Sequence, residues 1–207
     1  MNIVPPPAVR SYGKGKIILS NCTNPSPYPP GQDYFPTWHD GLGGLLASRV
    51  LRNVEVVTIF WGDYWAGASI EATPEDLNIF LDIVLTSSLM DMISSEYSIG
   101  DNVIGHGTLK ESVRVPNSWG RFSLGSSVSA GEIRQLVREL VDEAKVPYSL
   151  DTLYMVYIQK GTEVIDDHGA PSCTGGFEGY HDYDFGPLLI GGPVGQLLPL
   201  VIGVICP

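Results

Sequence analysis

Val54-Glu55-Val56-Val57-Thr58-Ile59-Phe60-Trp61 is the stretch that decides the fold. All but Glu55 are β-branched or aromatic, Asn53 and Gly62 close its ends, and so continuous an apolar run suits a central strand covered on both faces. Toward the C-terminus, Thr73-Pro74-Glu75-Asp76 opens a helix with a hydroxyl cap, a proline at the first helical position and carboxylates at the positive end of the dipole. Leu77, Phe80, Leu81, Val84 and Leu85 then follow helical spacing. Leu89, Met92 and Ile93 extend the stripe, which predicts one helix over 74–97 with one buried face. Asn102 to Val115 reads as extended, with Gly105 and Gly107 around His106 marking a close backbone approach. Ser129 and Glu132 form a capping box, and Ile133, Leu136, Val137, Leu140, Val141 and Ala144 make a second helical stripe over 129–145. Thr152 to Ile158 is again β-rich. The order β, α, β, α, β predicts right-handed crossovers and an α/β domain whose mixed, largely parallel sheet carries two packed amphipathic helices.

Around that nucleus the chain divides by composition. Residues 1–38 are Pro- and Gly-rich without a period and read as an irregular arm; 39–184 form a single α/β domain; 185–207 read as an apolar Gly- and Pro-rich tail. No residue after Asp184 is charged, yet Pro187, Pro193 and Pro199 interrupt the hydrogen bonding a lipid-exposed helix depends on, so no membrane span is expected. The first residues hold no apolar stretch of the length a secretory signal needs. Twelve Lys and Arg against 23 Asp and Glu leave a net charge of −11, which repels a phosphate backbone and argues against nucleic acid as a partner.

Residues able to carry chemistry are scattered. None of the histidines lies in HExxH, but Asp166-Asp167-His168 and His181-Asp182-Tyr183-Asp184 set imidazoles beside carboxylates, as metal sites do. His181, His106 and His168 are therefore the candidate ligands for zinc. Cys22, Cys173 and Cys206 show no CxxC spacing, Gly125 to Ser129 departs from GxSxG, and Gly13-Lys14-Gly15-Lys16 lacks the flanking strand and helix of a phosphate loop. Trp61, Tyr64 and Trp65 fall at the carboxyl end of the first strand, where α/β sheets place ligand clefts, and are candidates for stacking on a polysaccharide or peptide. Asn21-Cys22-Thr23 has the form of a glycosylation acceptor.

Several of these motifs occur together in one order. His39-Asp40-Gly41 through Gly44, then Leu51 to Tyr64, then Ser88 to Tyr97 ending in Ser-Glu-Tyr, then Ile104-Gly105-His106-Gly107-Thr108, and finally Ser172-Cys173 with Gly179-Tyr180-His181 resemble the phosphate-induced, EXORDIUM-like family of plants and its fungal and bacterial relatives. The resemblance covers His39 to His181. It implies a secreted lineage, and a layer similar to the one that precedes the HExxE helix of zincin peptidases. Relatives continue past their Gly-Tyr-His element into that helix; this sequence does not, and from Gly186 onward it contains no Glu or His. The expectation is that the catalytic half of the relatives is missing and that 185–207 does not continue the fold. The family's Cys-Gly-Tyr-His is here Glu178-Gly179-Tyr180-His181, so the partner the resemblance implies for Cys173 is absent. Two functions of different class follow: a noncatalytic surface or interaction protein on a zincin-like scaffold, or a zinc-dependent hydrolase whose histidines lie outside the usual motif.

Overall fold

The computed structural model describes residues 51–67, 72–97, 103–172, 179–187 and 197–205. The run read first from the sequence is the second strand of a five-stranded sheet. This strand, β1 (Glu55–Trp61), is buried from Val56 to Trp61 and pairs in parallel with β2 (Thr108–Val115) on one side and β6 (Thr152–Ile158) on the other. Beyond β6 come β9 (Leu197–Ile205), parallel to it, and β8 (Gly179–Pro187), antiparallel at the far edge, so the order is β2-β1-β6-β9-β8. The architecture is mixed α/β with a mostly parallel sheet. Two small ladders stand apart: β3 (Ser118–Trp119) with β4 (Phe122–Ser123), and β5 (Ser127–Ser129) with β7 (Glu163–Ile165).

Side chains alternate across the sheet and define two cores. Val57, Ile59 and Trp61 of β1, Tyr154, Val156 and Ile158 of β6, and Leu200, Ile202 and Val204 of β9 face α3 (Ala130–Asp142). That helix buries Ile133, Leu136, Val137, Leu140 and Val141, the stripe its spacing predicts, and its Ser129–Glu132 capping box is present. Ala144 departs from the stripe: it lies beyond the last turn, exposed, with φ 52°. The opposite face carries α1 (Pro74–Leu85) and α2 (Ser88–Tyr97), packed on Val54, Val56 and Phe60.

The single helix expected over 74–97 is two, bent by 53° at the break. The hydroxyls of Thr86 and Ser87 donate to the carbonyls of Asp82 and Val84, both at 2.8 Å, and Gly107 N donates to Leu85 O at 3.0 Å. Ser87 and the strand entering β2 thus take the Val84 and Leu85 carbonyls that a continuing helix would have used. Phe80 is also corrected, from the buried stripe to the outer surface. Apolar residues occur on both sides of α1, so periodicity alone does not say which side meets the sheet; Leu77, Leu81 and Leu85 do.

The largest correction concerns 185–207, expected as a tail that adds nothing to the fold. β8 runs to Pro187, and β9 inserts between β6 and β8 with Leu200, Ile202 and Val204 buried. Apolar residues stand on both sides of this segment, so it lacks the alternation of polar and apolar residues that marks a half-buried strand. Two of the prolines are accommodated by position; Pro193 lies outside the described residues. Pro199 lies before the β6 ladder begins at Val201, and Pro187 ends an edge strand. Among the described residues, no single helix is long and apolar enough to cross a membrane.

Candidate functional site

The parallel strands β1, β2 and β6 end level with one another, Trp61 pairing with Val115 and Ile158. Gly62 turns the chain there with φ 126°, and a Cβ on it would lie 2.4 Å from Gln159 Oε1, so glycine is required twice over. Asp63 and Asn117 tie the neighbouring loops reciprocally: Asp63 N donates to Asn117 Oδ1 at 2.9 Å and Asn117 N to Asp63 Oδ1 at 3.1 Å. Tyr64 N donates to Gln159 Oε1 at 3.3 Å.

These ties set the aromatic side chains, and they set two of them inward. Trp61 is only 1% exposed, on the α3 side, edge-on to Phe122 at 6.2 Å. Trp65 is 8% exposed and packs edge-on to Phe60 at 5.2 Å, while Phe60 stacks on Tyr157 at 4.9 Å. Burial pushes the Tyr157 phenol up to about 12, so it is neutral at pH 7. A ring enclosed in this way has no free face for a sugar or peptide; Tyr64 is half-buried and is the member of the trio that reaches the surface.

The three candidate histidines are all exposed and lie apart. His106 precedes β2 and bonds Asp91 of α2 at 2.9 Å. His181 sits on β8, at the other edge, four strand spacings or about 19 Å away across the sheet. His168 occupies the turn after β7, where its backbone N donates to Asp166 Oδ1 at 2.9 Å. No group of three His, Cys, Asp or Glu able to hold a metal occurs among the described residues. Asn21, Cys22, His39, Cys173 and Cys206 lie outside the described residues.

What does join the two acidic stretches is Arg134 of α3. Its guanidinium makes a bidentate pair with Asp167, at 2.7 and 2.8 Å, and also bonds Asp182 of β8. Arg134 holds the Asp167 carboxyl below the ordinary carboxylate range. Since Asp182 points to α3, its strand neighbour His181 faces the opposite side of the sheet. Sequence reading missed Arg134 because it sits inside an amphipathic stripe, and only the fold brings 134, 167 and 182 together. It also missed Asn78, which accepts from the buried Thr58 hydroxyl at 2.8 Å and donates to Ser112 at 2.9 Å, pinning α1 across β1 and β2.

A further surface has no counterpart in the motif reading. Ile79, Phe80 and Ile83 of α1 are 56, 62 and 61% exposed, and Leu89 and Met92 of α2 are exposed as well. At 100° per residue the first three fall within an arc of about 100°. Comparison of the chain with family models, curated proteins and solved structures yields no match.

Proposed function

We propose that this chain is a noncatalytic, EXORDIUM-like interaction protein on a zincin-like layer, and that it engages its partner through the outer face of α1 and α2. The observation that carries the reading is the exposed strip Ile79, Phe80 and Ile83. Isolated exposed apolar residues are ordinary, but adjacent ones on a single helical face mark interaction surfaces. An aliphatic and phenyl strip without hydrogen-bonding groups suits a peptide better than a polysaccharide, whose hydroxyls need partners.

The test uses the full chain and a synthetic amphipathic Leu/Lys helical peptide, with zinc measured on the same preparation. Saturable binding that survives a chelator and disappears in Phe80→Asp supports the reading. One zinc per chain, lost in His181→Ala or His106→Ala, would instead favour the metal-dependent hydrolase.

A further inference from the structure

On the side of the sheet opposite α1 and α2, the end of α3 carries a strained residue beside a cavity. The helix stops at Asp142 with Glu143 as its cap, and the chain then turns through Ala144 in the left-handed region, φ 52°. Ala144 N donates to Val141 O at 3.0 Å, and Lys145 N and Val146 N both donate to Leu140 O, at 2.8 and 3.3 Å, so the turn takes up the last carbonyls of the helix. Glycine suits such a position, because a Cβ there crowds the backbone. Ala144 is the one non-glycine residue with positive φ among the described residues. The turn needs no methyl at this point, so the strain has its use elsewhere.

Ala144 lines an open cavity of about 390 Å³, at the small end of the range for ligand pockets. Val141 and Val146, both buried in the α3 core, form its apolar wall together with Pro147 and Tyr148. That wall is held in place: the hydroxyl of the fully buried Tyr154 donates to Pro147 O at 2.7 Å. Two charged side chains complete the lining, Glu111 from β2 and Lys145 from the turn. Glu111 stands in register with Val57, whose side chain faces α3. Nearby charges have partners, Lys110 with Glu55 and Arg121 with Glu139. Glu111 and Lys145 are opposite in sign and line one cavity, yet among the described residues neither side chain pairs with the other or with a third. An anion placed here would meet Glu111 and a cation would meet Lys145, whereas a ligand of no charge would use neither. A zwitterion with an apolar body is complementary to both charges and to the wall between them.

We propose that this cavity binds a short apolar peptide of dipeptide size with both ends free, its ammonium at Glu111, its carboxylate at Lys145 and its side chains on Val141, Val146 and Tyr148 beside Ala144. The site is separate from the outer face of α1 and α2, and neither reading depends on the other.

Titration calorimetry of the full chain with Leu-Leu tests it, with the thermal unfolding midpoint followed alongside. Leu-Leu should bind saturably, one per chain. Glu111→Gln and Lys145→Met, both at exposed positions, should each weaken it about fivefold, the scale of a solvent-exposed ion pair, without moving the midpoint. Blocked ends tie each loss to its own partner: acetyl-Leu-Leu should bind parent and Glu111→Gln equally, and Leu-Leu amide should bind parent and Lys145→Met equally. Ala144→Gly should raise the midpoint by about 2–4 °C as the left-handed strain is relieved, and should weaken Leu-Leu binding. Absence of saturable binding to the parent overturns the site. Equal affinity for free and blocked dipeptides, or affinity unchanged by both charge variants, overturns the pairing of the peptide ends with Glu111 and Lys145. Full affinity in a stabilised Ala144→Gly overturns the assignment of Ala144 to the site.

Discussion

Arg134 shows how a single side chain organises the part of the chain in which sequence patterns fail. It reaches from α3 to Asp167 in the turn after β7 and to Asp182 on β8, so it ties the sheet's far edge to the helix. Arg134→Met should cost about 1–3 kcal/mol at neutral pH, read from denaturant midpoints, because two carboxylates lose a charged donor. The pH dependence has a definite sign. Asp167 is lowered in the folded state, so its contribution is present above the unfolded carboxyl value and is lost as pH falls through the lower folded one. Parent and Arg134→Met should therefore converge in acid; a difference that persists at pH 2 would mean that packing of the arginine stem, and not the ion pair, is what matters. Asn78 makes the same argument without charge. Asn78→Ala strands the hydroxyl of the fully buried Thr58 and should cost about 1–3 kcal/mol, whereas Ser112→Ala removes only an exposed acceptor and should cost less.

At the scale of elements, β9 and α1 are the two that behave unlike their sequence patterns, for related reasons. In both, apolar residues occur on both sides, so period does not identify the buried face. For β9 the face that carries Leu200, Ile202 and Val204 is buried against the α3 side, and Ile202→Ala should destabilise by about 2–4 kcal/mol through the lost transfer energy and the cavity left behind. A cost near zero in thermal or denaturant unfolding would mean that 197–205 is the dispensable tail its composition suggests. Gly203 belongs to the same test: a Cβ there would meet Met155 Sδ at 2.6 Å, so Gly203→Val should destabilise, and Met155→Ala in the same chain should relieve part of the loss. For α1 one face is buried and the other is free. Phe80→Asp should leave the unfolding midpoint within about 0.5 kcal/mol of the parent while abolishing peptide binding, a separation that a core residue could not give.

For the whole molecule, the acidic balance and the sheet order set what the protein meets. A net charge of −11 disfavours self-association and favours cationic partners, so binding of the Leu/Lys peptide should weaken steadily between 0.05 and 0.5 M salt in isothermal titration, as exposed charges are screened within about 10 Å at 0.1 M. The strands β1 and β6 and the helix α3 were legible from sequence because each carries a local signal that its tertiary environment does not oppose: a β-branched run bounded by Asn53 and Gly62, or a capped stripe beginning at Ser129. The α/β class follows from their order. The order of strands in space, the inclusion of β9, the bend between α1 and α2, and the inward turn of Trp61 and Trp65 do not follow, because each depends on which surfaces meet after the chain has folded back on itself. Candidate site residues divide along the same line. Residue types and their neighbours mark His106, His168 and His181 as able to bind a metal, but only the sheet decides that His106 and His181 stand at opposite edges, and only packing turns a strand-end aromatic cluster into core while leaving Ile79, Phe80 and Ile83 facing solvent.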